Sequence, residues 1–286
     1  TATPATVIKT AQARTIATKI GRRISRRKVL TRYRRYWPMA RRKRRSGNSR
    51  CHLVVFLRNY GPVTRNSLED SSFDPTHTWI VDGGPNLPSL PNSVAPPTLV
   101  IAADAGYLHA QSLGIPIHVV VGDFDSLDKE SLPTDNSRPV VEEHPKDKDQ
   151  SDLALALKFA QRVGAEDIQI ISGGGGRLDH LLISSVLLAN DDNINQRIIT
   201  HCGTSRLMAL TTNKAFDLDD VIGSQVSLVA LSSDARISTE GLRWNLSSGD
   251  SFSKFSSLGL SNEILSRPRI DVHRGVFLVI VTSRDL

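Results

Sequence analysis

Aspartate and glutamate are missing from the first fifty residues, where 17 lysines and arginines stand without a single acid. Residues 51–286 therefore hold 19 basic residues against all 29 acids, a net of −10 beneath a formal total of +7. This acidic body excludes a nucleic-acid-binding domain beyond the arm, so any polyanionic partner has to be met by residues 1–50. Cysteine is almost absent. Cys51 and Cys202 are isolated and lack metal-ligand spacing, which excludes a disulfide scaffold and fits a reduced, cytoplasmic compartment. No run approaches the roughly 18 uninterrupted apolar residues of a membrane span. What is present, 286 residues with 39% hydrophobic and 23% charged content, suffices for two modest domains with cores of their own.

The arm contains runs such as Arg22-Arg23-Ile24-Ser25-Arg26-Arg27-Lys28 and Arg41-Arg42-Lys43-Arg44-Arg45. Like charges at this density repel and few apolar residues offset the ordering entropy, so a disordered segment or transient helix is expected. A transit peptide or a nucleic-acid-binding tail fits the same composition. Ser25–Leu30 is superficially like a twin-arginine signal, but Thr31-Arg32-Tyr33-Arg34-Arg35 follows where an apolar core should stand.

Residues 51–213 have an α/β texture. Buried strands are expected at His52–Leu57, Trp79–Val81, Thr98–Ala103, His118–Val121 and Ile168–Ile171. Helices are expected at Tyr107–Leu113 with a Gly114 cap, Asp152–Val163 capped by Ser151, and Leu181–Ala189. Strands alternating with helices predict a mostly parallel, Rossmann-like sheet covered on both faces. Such sheets bind ligands beyond the carboxyl ends of their strands, where Asp104, Asp123 and the run Gly173–Gly176 fall. Beyond residue 214 the pattern is all-β, with strands at Ser224–Leu231, Arg236–Glu240, Arg269–His273 and Val276–Val281. Residues 214–286 are accordingly expected to form a small sandwich of jelly-roll type.

Three groups of residues carry chemistry. In Gly122-Asp123-Phe124-Asp125-Ser126 two carboxylates two apart can turn toward one cation, and Mg²⁺ prefers such oxygen ligands together with substrate phosphates. Alone, the pair fits a solvated turn equally well. Asp104 and Asp152 add two further carboxylates at the same sheet edge, which would repel one another without a cation; Lys148 lies nearby to meet a phosphate. Second, four glycines lead through Arg177-Leu178-Asp179-His180 into a helix, allowing backbone N–H groups and a guanidinium to approach phosphate. Third, Trp244 and the pair Ser261-Asn262 lie in the β-region. A tryptophan there is ordinarily core, and its face could otherwise stack on a flat heteroaromatic ring.

In order along the chain, Ala103-Asp104-Ala105-Gly106, Gly122–Ser126, Asp147–Asp152, Gly175–His180, Gly241–Leu246 and Ser261-Asn262-Glu263 resemble the thiamine pyrophosphokinase family over about residues 98–282. That resemblance implies an α/β catalytic domain plus a β-domain, assembled as a homodimer with the thiamine site between subunits. It implies that Asp104, Asp123, Asp125 and Asp152 bind Mg²⁺ and ATP phosphates, with Ser126, Lys148, Gly175, Gly176 and Arg177 on the phosphates. Asp179, His180, Trp244, Ser261 and Asn262 would face thiamine. The implied reaction is attack of the thiamine hydroxyl on the β-phosphorus of ATP with departure of AMP, and Asp123 or Asp152 takes the proton.

The family's D-G-G-A-N motif stands here as Asp104-Ala105-Gly106-Tyr107-Leu108, while a closer literal match, Asp82-Gly83-Gly84-Pro85-Asn86, lies upstream. Asp104 precedes Asp123 by 19 residues and Asp82 precedes it by 41. Only the shorter gap fits one strand–helix–strand unit, so Asp82 is expected to be a loop residue outside the site. Rival functions are another Mg²⁺-dependent nucleotide pyrophosphokinase or phosphohydrolase, and a nucleic-acid-associated protein acting through the arm.

Overall fold

Short aliphatic runs build the centre of the molecule. In the computed structural model, which describes residues 73–91, 94–135, 137–212, 215–218 and 222–283, they form β1 (Thr78–Val81), β2 (Leu99–Ala103), β3 (Val119–Gly122) and β4 (Val140–Glu143). Strands β5 (Asp167–Ser172) and β6 (Arg197–Cys202) follow. All six pair in parallel, in the order β6-β5-β1-β2-β3-β4. The arm and the strand expected at His52–Leu57 lie outside the described residues.

Every side chain of β1, β2 and β3 is buried, as a sheet covered on both faces demands. Helix α1 (Gly106–Leu113) packs through Ala110 on the face of Trp79, Val81 and Val100. Helix α2 (Asp152–Arg162) packs through Leu153, Ala156, Leu157 and Ala160 on the opposite face of Ile80, Ile101 and Val121. Local signals set the ends of both. Gly114 closes α1 at φ 69°, and the Ser151 side chain accepts the Ala154 N–H to open α2. A third helix, α3, runs over Leu178–Val186 and passes into a 3₁₀ turn at Leu187–Ala189. It therefore begins three residues earlier than its apolar pattern predicts.

From β6 the sheet turns antiparallel through β7 (Ser205–Thr211). The remaining strands are β8 (Ala215–Asp217), β9 (Gln225–Ala230), β10 (Ala235–Leu242), β11 (Ser251–Phe252), β12 (Asn262–Arg274) and β13 (Val276–Thr282). The whole is an α/β fold on one large mixed sheet with few helices. The change of texture near residue 214 is not a seam in the hydrogen bonding, because β13 pairs with β7 along seven residues. Met208, Val226, Leu228, Phe277 and Val279 share one apolar core with Ile237, Phe252, Ile264, Ile270 and Val272. The long β12 joins the two strand sets, pairing with β9 at Asn262 and Glu263 and with β10 beyond them.

Candidate active site

Neighbouring parallel strands deliver their carboxyl ends to one edge. Asp104 follows β2, and its N–H donates to the Val121 carbonyl at 2.9 Å, which fixes it beside the end of β3. Asp104 and Phe124 both adopt left-handed backbone conformations, φ 40° and 58°. Aspartate tolerates that region better than most residues. Carboxylate oxygens of Asp104, Asp123 and Asp125 come within 4.8 Å of one another. Gly122 permits this crowding, since a Cβ there would lie 3.0 Å from Asp104 Cβ and 3.2 Å from Asp152 Oδ1.

The electrostatics of this edge are unequal. Asp104 is buried, with 6% exposure, and its Oδ1 has no hydrogen-bond partner among the described residues. Burial, reinforced by repulsion from Asp152 and Asp125 against a bond from Ser126, holds its carboxyl above the ordinary range. Asp123 is held below that range, chiefly by Lys148, whose Nζ lies 2.5 Å from its Oδ2 and 2.8 Å from Asp152 Oδ1. Three of the four predicted carboxylates thus converge directly, and Asp152 joins them across the Lys148 ammonium. An oxygen-only donor set with an unsatisfied buried carboxylate oxygen fits a hard divalent cation.

Asp82 is a loop residue, as expected, and it directly follows β1 at the carboxyl edge of the sheet. It caps β1, the strand between β5 and β2, with its N–H on the Ile171 carbonyl at 3.0 Å and Ser172 Oγ 3.3 Å from its Oδ2. Separation along the chain does not set its distance from that edge, because β1 enters the sheet beside β5, some ninety residues later in the chain. Burial pushes the Asp82 carboxyl up to about 6, against the Ser172 hydrogen bond. The folded protein therefore holds this proton more tightly than the unfolded chain. Its contribution to stability is complete below about pH 4 and is lost as pH rises through 6. Asp82→Asn is expected to be more stable than the native protein at pH 7.5 by on the order of 2 kcal/mol in metal-free urea melts. The difference should close by pH 4; a pH-independent difference would contradict this assignment.

The glycine run follows β5 directly. Gly174, Gly175 and Gly176 have φ of 61°, 78° and 78°, which the absence of a Cβ permits. Among the described hydrogen bonds, none is donated by the N–H of Gly175 or Gly176. Arg177 turns its guanidinium onto Asp179 at 2.5 Å, and this partner holds the Asp179 carboxyl down to about 2. Both side chains are exposed, as is His180, whose N–H donates to Asp179 Oδ1.

Trp244 departs from the core placement expected of its residue type, because it is 62% exposed. Its backbone is held from both sides by Asn262: Oδ1 accepts the Trp244 N–H at 3.1 Å, and Nδ2 donates to the Trp244 carbonyl at 2.7 Å. Oδ1 also accepts the Glu263 N–H at 3.0 Å. The buried Asn262 amide is thus engaged with main chain on both sides of Trp244. Ser261 is exposed in a left-handed conformation, φ 56°, with its N–H on Ser227 Oγ. Ser126 bonds Asp125 at 2.7 Å beside the carboxylate cluster.

Models of two domains match in succession: "Thiamin pyrophosphokinase, catalytic domain" over residues 91–199 and "Thiamin pyrophosphokinase, vitamin B1 binding domain" over residues 213–277. The first spans all four predicted metal-site aspartates and the glycine run; the second spans Trp244, Ser261 and Asn262. The chain belongs to the thiamine pyrophosphokinase family. A relative described as thiamine pyrophosphokinase, from Bacillus subtilis, is 29% identical over 212 residues, covering 72% of this chain and 98% of its own. The crystal structure of the Bacillus subtilis thiamine pyrophosphokinase shares the fold, with TM-score 0.63, 24% identity and coverage of 73% of this chain and 100% of that one. A family protein from Enterococcus faecalis matches with TM-score 0.63, 23% identity and the same coverages. Yeast thiamin pyrophosphokinase matches with TM-score 0.54 at 13% identity, covering 73% of this chain and 86% of its own.

The literal Asp82-Gly83-Gly84-Pro85-Asn86 motif lies directly after the apolar strand β1.

Proposed function

We propose that this thiamine pyrophosphokinase family member transfers the terminal pyrophosphoryl group of ATP to the primary hydroxyl of thiamine, releasing thiamine diphosphate and AMP. The observation that carries the reading is the convergence of Asp104, Asp123 and Asp125, with an unsatisfied buried oxygen on Asp104, at the carboxyl edge of a parallel sheet. Mg²⁺ held by these carboxylates would screen polyphosphate charge and polarise the transferred group. The protein's own groups supply alignment, the main requirement of such a transfer. The N–H groups of Gly175 and Gly176, which donate none of the described hydrogen bonds, would serve a phosphate, and Arg177 would exchange Asp179 for phosphoryl oxygens. Lys148 keeps Asp123 ionised, which suits Asp123 to the cation, and either Asp123 or Asp152 would accept the hydroxyl proton.

The two halves of this site are far apart within one chain. Seven strands separate β12, which carries Asn262, from β3, a path of roughly 38 Å along the sheet at the usual spacing. Thiamine must touch both halves, so the reading includes a homodimer in which Trp244 of one subunit serves the phosphate site of the other. Helix α3 offers the surface, because Leu178 (68%), Ile183 (58%), Leu181, Leu182 and Val186 are all exposed. Ile183→Glu is expected to sediment as a monomer and to lose most activity; a dimeric, active variant would move the interface elsewhere. The same reading takes the parallel half as Rossmann-like and the strands beyond 214 as a jelly-roll-like sandwich. It places the enzyme in the cytoplasm. Among the described residues, no helix is long and apolar enough to cross a membrane.

The test is incubation of the purified protein with ATP, Mg²⁺ and thiamine. AMP released in step with thiamine diphosphate is expected. Release of ADP or phosphate independent of thiamine would instead identify a phosphohydrolase. Deleting residues 1–50 should leave the reaction intact, whereas a protein acting through its arm would lose function.

A further inference from the structure

The turn that ends β1 and the glycine run that follows β5 are packed main chain against main chain. Asn86 Nδ2 donates to the Gly174 carbonyl at 3.1 Å. A Cβ at Gly173 would lie 1.8 Å from the Asn86 carbonyl oxygen, and one at Gly175 would lie 2.4 Å from Asn86 Nδ2. A Cβ at Gly176 would reach Pro85 Cδ at 3.1 Å. The glycines are therefore demanded as much by contact with Pro85-Asn86 as by their own backbone angles.

Three successive residues with φ between 61° and 78° form a segment that glycine alone leaves almost unrestrained. Fixing each such residue costs about 1–2 kcal/mol of conformational entropy. From within the same connection, the Gly174 N–H donates to Ser172 Oγ at 3.3 Å. Among the described side chains, Asn86 supplies the hydrogen bond that reaches the run from another strand end.

We propose that Asn86 is a positioning residue, which holds the glycine run in the conformation that receives the polyphosphate of a nucleoside triphosphate. The inference rests on the pyrophosphoryl-transfer reading for its substrate. It goes beyond that reading in assigning the order of the phosphate loop to a side chain on β1's exit turn. Asn86 acts through Gly174 and touches no reacting atom.

Two variants test it, with ATP–Mg²⁺ binding followed by calorimetry alongside steady-state kinetics. Asn86→Ala, an exposed truncation, should raise KM and Kd for ATP about fivefold, the effect of one lost hydrogen bond. KM for thiamine, kcat at saturating ATP and the melting temperature should stay near native values. Asn86→Asp keeps the shape but sets a carboxylate oxygen against the Gly174 carbonyl, so its ATP affinity should fall further than that of Asn86→Ala. Native ATP affinity in both variants would overturn the proposal. So would parallel losses in ATP and thiamine affinity with a lowered melting temperature, which mark a merely structural residue. If the native protein binds ATP but does not turn over thiamine, the reaction assignment fails while calorimetry still decides the role of Asn86. If it binds no ATP, both fall together.

Discussion

Asp104→Asn is expected to reduce thiamine diphosphate formation about a thousandfold while leaving the protein at least as stable as before. The two effects have one origin. Asp104 sits buried with Oδ1 unpartnered among the described residues, and burial together with the neighbouring Asp152 and Asp125 disfavours its ionised form. A neutral amide of the same shape removes that unfavourable charge, and asparagine tolerates φ 40° as readily as aspartate. The same substitution removes one of three converging carboxylates, and losing several kcal/mol of charge stabilisation in a phosphoryl-type transfer corresponds to about three orders of magnitude in rate. The checks are turnover with ATP, Mg²⁺ and thiamine, and a melting curve in metal-free buffer. An aspartate conserving only the fold would give the reverse pattern, with stability lost and turnover retained.

Trp244→Ala should raise KM for thiamine about tenfold or more while KM for ATP stays within a factor of two. An aromatic face against a cationic ring contributes on the order of 1–2 kcal/mol when partly desolvated. Because the indole is 62% exposed, its truncation should leave the melting temperature almost unchanged. Asn262→Ala should weaken thiamine binding too, but by freeing the Trp244 backbone, and it should also lower stability because buried main-chain partners are left unsatisfied. Trp244→Phe should recover part of the loss. Equal losses for ATP and thiamine, or a collapse in stability for Trp244→Ala, would return this tryptophan to the core.

Much of the catalytic half was legible because its signals are local. Leu99–Ala103 and Val119–Gly122 are apolar on both faces and end in chemistry-bearing aspartates, and Ser151 and Gly114 mark helix ends by hydrogen bonding and backbone sign alone. What was not legible is non-local. The place of Asp82 at the sheet's carboxyl edge does not follow from its distance along the chain, because β1 pairs with β5 across some ninety residues of sequence. The exposed position of Trp244 does not follow from its residue type, which favours the core; Asn262, eighteen residues on, holds its backbone from both sides. The same amide chemistry that makes asparagine a plausible ligand contact makes it a main-chain clamp, and pattern alone does not separate the two. Helix α3 carries the apolar pattern of an ordinary packed helix, yet none of its residues is buried within the chain.

The measurement that bears most directly on the central claim is the fate of the two terminal phosphorus atoms of ATP. With ATP labelled at the β-phosphorus, and thiamine and Mg²⁺ present, the label should appear in thiamine diphosphate in step with unlabelled AMP. Label retained in ADP, with thiamine gaining a single phosphoryl group or none, would contradict the account.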